Sequence, residues 1–182
     1  MAETFDWDSM DNEFKNNFKA YAEDGKYDVK LESVTQKVAG TGTIFFEFNF
    51  EEGEEVKYPK ISRALFKDEK KKFRAHHYKE IMKVLGASEE NARKAVEVCE
   101  GKANREAIAD AYTQTFNKLA QKHPTIKLEV STETNQGKEY ARGEFADPSV
   151  HFSNSKPKAT ATDVVPENIP EDDDISLDSI PF

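Results

Sequence analysis

A strand over residues 43–50 is the clearest element that the hydrophobic pattern predicts. Every second residue there is large and apolar, so four such side chains share one face of the strand: Ile44, Phe46, Phe48 and Phe50. We expect this face to lie in a core. Phe45 is then an aromatic residue on the opposite face.

The same alternation predicts four more strands. They cover residues 27–33, 56–66, 125–131 and 138–145. Pro59 requires the second of these to be an edge strand or to contain a bulge, because proline cannot donate a ladder hydrogen bond. Turns are expected around Gly53 and over residues 135–137, so the pattern indicates hairpins.

Helical periodicity replaces the alternation between the third and fourth strands. Three helices are predicted there: one from Lys67 to Leu85, one from Ser88 to Gly101 and one from Asn104 to Lys122. A short amphipathic helix is also predicted over residues 9–22, with Trp7 anchoring its start. From Asp147 onward the chain is rich in Ser, Pro, Lys and Asp and has almost no periodicity, which is typical of disorder.

This element order predicts an α+β, mainly β, protein. Three strands, a helical insertion and two strands form the order of an OB-fold, a five-stranded barrel that accepts helix between strands three and four. We divide the chain into an N-terminal helical segment (1–26), an OB-like domain (27–146) with its insertion (67–123), and a linker and acidic tail (147–182). The order also fits other small mixed folds, and the insertion is long enough to form a separate helical lobe.

The charge is unevenly distributed. The net charge is −9, but the acidic excess lies in residues 1–26 and 153–182, whereas residues 27–152 are neutral overall. Within them, the stretch from Lys57 to Lys83 holds ten basic residues against three acidic ones. A basic patch inside an acidic envelope is compatible with nucleic-acid binding, despite the acidic total.

Neither a membrane location nor catalysis is indicated. The sequence has no apolar run of membrane-spanning length, and its N-terminus lacks signal-peptide features, so we expect a cytoplasmic protein. The single cysteine, Cys99, excludes an internal disulfide framework and is expected in a core. His76 and His77 point to opposite sides of a helix, so we expect no metal site, no cofactor and no enzymatic activity.

The last twelve residues combine an acidic run with an apolar end. An acidic tail alone is often a solubilising tail, but a terminal aromatic residue offers a ring and an α-carboxylate to one basic-rimmed pocket. We therefore predict that the tip binds a partner protein. The residues expected to make these contacts are Asp172, Asp173, Asp174, Asp178, Ile180, Pro181 and Phe182.

This ending resembles that of bacterial single-stranded-DNA-binding proteins, which close with Asp-Asp-Asp-Ile-Pro-Phe. Here Asp172–Ile175 and Ile180–Phe182 form that ending split by residues 176–179. Residues 24–31, the phenylalanine-rich second strand and residues 135–142 also resemble a family of small phage proteins thought to bind single-stranded DNA. The resemblance implies that the folded part holds DNA and that the tail recruits replication, recombination or repair proteins.

Non-specific binding of single strands needs exposed rings for stacking and cations for phosphates. The candidates lie on the central hairpin, the first loop and the last strand: Lys37, Phe45, Lys57, Tyr58, Lys60, Arg63, Lys138, Tyr140 and Arg142. The competing interpretation is that the tyrosines are core residues and the lysines a solvated face.

The predicted function is thus that of a single-stranded-DNA-binding protein, encoded by a phage and acting in the host cytoplasm. One alternative is a replisome or recombination adaptor that does not bind DNA. Another is an acidic DNA mimic, which the Lys57–Lys83 stretch disfavours. The sequence leaves self-association open.

Overall fold

The computed structural model describes Asp6, residues 8–11, Glu13 and residues 19–151. Its strands are β1 (Ala20–Tyr21), β2 (Gly25–Val38), β3 (Ile44–Phe50), β4 (Val56–Lys57), β5 (Ile61–Ala64), β6 (Thr125–Asn135) and β7 (Lys138–Phe145). Its longer helices are α1 (Lys71–Val84), α2 (Glu89–Glu100) and α3 (Arg105–Lys122). Asp68–Lys70 and Pro148–Val150 form 3₁₀ turns, and residues 8–11 and 13 are helical.

The described chain forms two compact units. The sheet unit comprises the described residues before 65 and residues 124–146, and the helical unit comprises residues 65–123 and 147–151. The predicted order of three main-sheet strands, a helical insertion and two further strands is therefore present. The chain is an α+β protein.

Five strands form an antiparallel sheet in the order β5-β3-β2-β6-β7. The long strand β2 joins its two halves, since residues 25–30 pair with β6 whereas the stretch from Leu31 to Val38 pairs with β3. A register irregularity between Leu31 and Ser33 marks the change of partner. One continuous strand thus supports both hairpins.

The sheet does not close into the predicted barrel. Within the described residues β5 and β7 are its edges, and no ladder joins them. The edges nevertheless approach each other, because a Cβ added at Gly143 would lie 2.4 Å from the carbonyl oxygen of Pro59. Strand β5 is only four residues long, and Pro59 just before it has no N–H to donate, so this edge has little capacity for a closing ladder.

The core of the sheet unit confirms the predicted facing of residues 43–50. Phe46 and Phe48 are fully buried, and the Phe48 ring meets the edge of the Phe145 ring with centroids 5.3 Å apart. Phe45 is half-buried on the other face. On β6 the predicted inward residues Ile126, Leu128 and Val130 are buried as well.

The helical unit begins its second and third helices at the residues predicted to start them, Ser88 and Asn104. The Ser88 hydroxyl accepts a hydrogen bond from the Asn91 N–H, and the Asn104 side chain accepts one from the Ala107 N–H. Its core holds three packed rings, with the Tyr78 ring centroid 4.7 Å from that of Tyr112 and 5.9 Å from that of Phe116.

An ion pair is buried in the helical unit. The Arg74 guanidinium donates two hydrogen bonds to Glu100, at 2.8 and 2.5 Å, and the Tyr112 hydroxyl donates a third to the same carboxylate at 2.7 Å. Burial alone would lower the pKa of Arg74, but its bonds to Glu100 and Asp68 raise it above the ordinary value. Burial also raises the pKa of Tyr112. Because each polar group has partners, the network fixes the first turn of α1 against α2 and α3.

Several predicted boundaries are wrong. The predicted helix over residues 9–22 does not extend to its end, because Ala20–Tyr21 is a strand that pairs in parallel with Val56–Lys57. The predicted strand over residues 56–66 is broken at residues 58–60 and ends at Ala64. Order continues past Asp147, since Val150 is fully buried. Trp7 lies outside the described residues. Residues 152–182, which include the predicted acidic tail, also lie outside them.

Candidate nucleic-acid interface

A groove of about 360 Å³ opens on the sheet unit. It is formed by the segment that leads into β5, by the middle of β7 and by residues of β1 and β6. Its lining comprises Tyr21, Pro59, Lys60, Ser62, Arg63, Glu133, Ala141, Arg142 and Gly143. Three of these residues, Lys60, Arg63 and Arg142, are predicted DNA contacts. The groove therefore lies where the two sheet edges approach without pairing.

Arg63 lies in a different environment from the other two cations. It stands opposite Phe46 in the β3–β5 register, so its side chain starts on the core face. It is 5% exposed, forms an ion pair with Glu144, and its guanidinium carbon lies 5.5 Å from the centre of the Phe145 ring. Arg63 thus links β5 to β7 beneath the groove, and most of its positive charge is offset.

Tyr21 is a lining residue that the sequence analysis did not select. Tyr21 is 48% exposed, and the Lys57 ammonium lies 4.5 Å from the centre of its ring. The two side chains meet because β1 pairs with β4 at the Tyr21–Lys57 position. Two-residue parallel pairings have no recognisable sequence pattern, and the helical spacing of Tyr21 with Phe18 and Phe14 favoured a different assignment.

The outer face of β2 and β3 carries a second group of predicted residues. Glu47 lies between two lysines, with Lys37 at 2.9 Å and Lys60 at 2.7 Å. Burial would raise the pKa of Glu47, but hydrogen bonds from Lys60 and Lys37 hold it below the ordinary value. The hydrogen bond to Glu47 also raises the pKa of Lys37. This cluster keeps a net positive charge, and Phe45 stands beside Lys37 in the β2–β3 register.

The last strand presents three predicted residues at alternate positions. Lys138, Tyr140 and Arg142 lie on one face of β7 and are exposed, with Tyr140 53% accessible. Arg142 forms an ion pair with Glu133 on the neighbouring strand. The turn before them has positive φ at Gln136 and Gly137, as the predicted hairpin requires. Tyr140 is therefore a surface residue and not a core residue.

Tyr58 is more enclosed than Tyr140. It is half-buried, and its ring packs at a tilt against the Tyr27 ring with centroids 5.6 Å apart. The contact leaves part of the ring accessible, so Tyr58 contributes to packing and to the surface at once.

The Lys57–Lys83 stretch is divided between the two units. Lys57, Lys60 and Arg63 belong to the sheet unit, and the rest belong to the helical unit. Within the latter, Lys79 and Lys83 form ion pairs with Glu80 and Glu89.

The Glu89 carboxylate is the centre of the ion pairs on α1 and α2. Hydrogen bonds from Lys83, Lys79 and Arg93 lower the pKa of Glu89 to about 2. These cations are thus occupied by carboxylates.

The described part of the chain shows no group of three or more His, Cys, Asp or Glu side chains that could hold a metal ion. Burial raises the pKa of the Cys99 thiol to about 12, so the thiol is protonated at neutral pH. His77 is buried and His76 is exposed, as expected. None of the helices in this part is long and apolar enough to cross a membrane.

The predicted partner-binding residues Asp172, Asp173, Asp174, Asp178, Ile180, Pro181 and Phe182 all lie outside the described residues. No known protein family matches the chain, and no curated protein matches it.

Proposed function

We propose that this chain is a non-enzymatic single-stranded-DNA-binding protein of phage replication and recombination. In this proposal the sheet unit is a variant of the OB-fold, and the acidic tail recruits partner enzymes. The observation that carries the proposal is the groove, where an exposed tyrosine and two exposed cations, Lys60 and Arg142, line one concave surface.

The chemistry of the groove suits an unpaired strand. Stacking of a base on an exposed ring contributes about 1–3 kcal/mol without sequence preference, and Tyr21 presents such a ring in the groove. Tyr140 presents a second exposed ring on β7, outside the groove lining. Arg142 is paired with Glu133 at the exposed surface. Such a pair contributes about 0–1 kcal/mol, so a phosphate can replace Glu133 as the partner of Arg142 at little cost. The Glu47 partner of Lys60 is buried but is also paired with Lys37, so it keeps one lysine when Lys60 turns to a phosphate.

Steric considerations also favour a single strand over a duplex. A groove of about 360 Å³ admits individual bases and phosphates, whereas B-form DNA is usually read by an element that enters its major groove. The edges of β5 and β7 approach each other without pairing and leave the groove as a concave surface. A single strand of DNA whose bases are unstacked is flexible enough to follow this surface.

The test is a titration of labelled oligothymidine with the wild type and a double variant, Lys60→Gln with Arg142→Gln. The matched control is Lys30→Gln with Lys127→Gln, which removes two exposed, ion-paired lysines of the same unit away from the groove. The groove variant is expected to weaken binding and to reduce the salt slope by about 1.4, since each lost phosphate contact removes about 0.7. The control is expected to change binding little.

A chain that binds no oligothymidine at low salt would favour the alternative of a recombination or replisome adaptor. In that case the groove would take an acidic protein segment, and the basic residues would serve electrostatic steering of that partner. Equal weakening by the groove variant and its control would show that total charge, and not the groove, governs binding.

A further inference from the structure

Phe73 is a large apolar side chain on the surface of the helical unit. It is the third residue of α1, and it is 52% exposed. Its ring is held by two neighbours, because Phe66 meets it nearly at a right angle at 5.1 Å and His77 lies parallel to it at 6.1 Å. The ring therefore has a fixed orientation while half of its surface contacts water.

Four exposed lysines lie within six residues of this ring: Lys67, Lys70, Lys71 and Lys72. In the part of the chain that the structure describes, none of them forms an ion pair, whereas Lys79 and Lys83 on the same helix do. Unlike the cations around Glu89, they keep their whole charge available for a ligand.

Two of these lysines, Lys71 and Lys72, occupy unfavourable positions for stability. Positive charges in the first turn of a helix oppose its dipole, and the nearest acidic residues, Asp68 and Glu69, lie in the 3₁₀ turn before α1, whereas α2 begins with Glu89 and Glu90. Positions that break such local rules are expected where a surface serves binding. The charge is thus explained better by a ligand than by folding.

The scaffold beneath the surface is rigid. Arg74, the residue after Phe73, is buried and bonded to Glu100, and it donates a further hydrogen bond to the Phe66 carbonyl at 2.5 Å. Arg105 donates to the same carbonyl at 3.1 Å. The ring and its lysines are consequently held in place before a ligand arrives, which reduces the entropy lost on binding.

We propose that Phe73 with Lys67, Lys70, Lys71 and Lys72, the Phe73 surface, is a second contact site for single-stranded nucleic acid. This inference rests on the proposed function and extends it to the helical insertion. A base stacks on the accessible part of the Phe73 ring, and the lysines contact the phosphates on either side of that base.

A nucleic acid fits this surface better than an acidic peptide does. The chain's own segment 171–182 is acidic and ends in Phe182, but such a tip is bound by a pocket that encloses its side chain. Phe73 projects from the surface and offers a flat ring, which suits stacking against a base. The two occupants predict opposite effects of removing the lysines.

The experiment measures oligothymidine affinity of the full chain by fluorescence anisotropy at low salt. Phe73→Leu keeps an apolar side chain against Phe66 and His77 but removes the ring, and it is expected to weaken binding about 5- to 100-fold. Phe73→Tyr keeps the ring and is expected to bind as the wild type does. Circular dichroism and urea unfolding of both variants confirm that the fold is retained.

The lysines are tested by Lys71→Gln with Lys72→Gln against Lys102→Gln with Lys122→Gln. All four residues are exposed lysines of the same unit, so the two double variants change the total charge equally. The first variant is expected to lower affinity and the salt slope, and the second to leave the slope unchanged.

Four results would overturn the inference. Wild-type affinity in Phe73→Leu, or equal losses in the two lysine variants, would remove the Phe73 surface from DNA binding while the groove variants still test the proposed function. Tighter DNA binding by Lys71→Gln with Lys72→Gln would show that the surface holds the acidic tail. Failure of the wild type to bind DNA would overturn the inference together with the proposed function.

Discussion

Phe45 and Phe46 are adjacent residues with opposite environments. Phe46 is fully buried, whereas Phe45 is half-buried beside Lys37 on the outer face of the sheet. Phe46→Ala is expected to destabilise the protein by about 3–5 kcal/mol through the cavity that it leaves. Phe45→Ala is expected to cost less stability and to weaken oligothymidine binding.

Urea unfolding and anisotropy titration of the two variants check this prediction side by side. If Phe45→Ala proves the more destabilising substitution, the facing of β3 is inverted. A loss of DNA affinity in neither variant would exclude the outer face of β3 from the interface.

At the residue scale, the sequence predicts burial better than it predicts contacts. Alternation identified Phe46 and Phe48 as core because side-chain direction in a strand follows a period of two. Arg63 was expected at the surface, but its direction depends on the register of β5, which follows the break at residues 58–60. Partners such as Glu144, far away in sequence, have no local signal.

Among the elements, the approach of β7 to the segment before β5 depends on one glycine. A Cβ at position 143 would lie 2.4 Å from the Pro59 carbonyl oxygen, which is backbone and cannot turn away. Gly143→Ala is expected to destabilise the fold by about 1–3 kcal/mol and to displace the rim of the groove. Urea unfolding and oligothymidine titration measure the two effects.

Gly40→Ala is the matched control, because nothing lies within 4 Å of a Cβ added there and its φ is not in the left-handed region. It is expected to be close to neutral. Similar stability of both variants would mean that the two sheet edges are farther apart than described.

The pairing of α1 with α2 contributes a pH-dependent part of the stability. The folded-state pKa of Glu89, about 2, is below its ordinary value of 4.5. The carboxylate therefore stabilises the fold fully above about pH 5, and this contribution is lost as the pH falls from 4.5 toward 2. Glu89→Gln is expected to be less stable than the wild type at pH 7, with the difference vanishing near pH 2.

Urea unfolding across this pH range tests the prediction. Glu90→Gln is the control, since Glu90 has one cationic partner, Lys94, whereas three cations surround Glu89. A difference between wild type and Glu89→Gln that is constant from pH 7 to the acid limit would contradict the role of these ion pairs.

Helices were easier to predict than the short strands. Ser88 and Asn104 are caps whose side chains act within three residues, so their effect is visible in the sequence. Strands β1 and β4 are two residues each and pair across more than thirty positions. Their pairing depends on the tertiary structure, and no local pattern predicts it.

At the scale of the whole molecule, the tail is predicted to oppose DNA binding. Residues 171–182 are strongly acidic, so they should compete with DNA for exposed cations at low salt. A chain that ends at Pro170 is expected to bind oligothymidine more tightly than the full chain at low salt, with the difference shrinking as salt is added.

The end of the tail is predicted to have a separate role in recruiting partners. A chain that ends at Pro181 lacks only the ring and the properly placed carboxylate of Phe182, and it is expected to lose partner enzymes in pull-down experiments. If this chain retains partners as well as the full chain does, the acidic segment is a solubilising tail.

The sequence predicted the order of elements but not that the two edge strands of the sheet stay unpaired with each other. Five strands and a helical insertion follow from periodicity, whereas barrel closure requires hydrogen bonds between two edges that are distant in sequence. The sequence also did not predict that the Lys57–Lys83 stretch is divided between two units. Each unit consists of two stretches that are separated along the chain, so no local pattern marks the boundary.

The most direct test of the account is the salt dependence of single-strand binding by the full chain. Poly-thymidine is titrated at about 50 mM and about 200 mM salt, with tryptophan and tyrosine fluorescence as the signal. We expect affinity to fall about tenfold or more between the two conditions, with little difference between poly-thymidine and mixed sequences of equal length. No binding, or tight binding that salt leaves unchanged, would contradict the account.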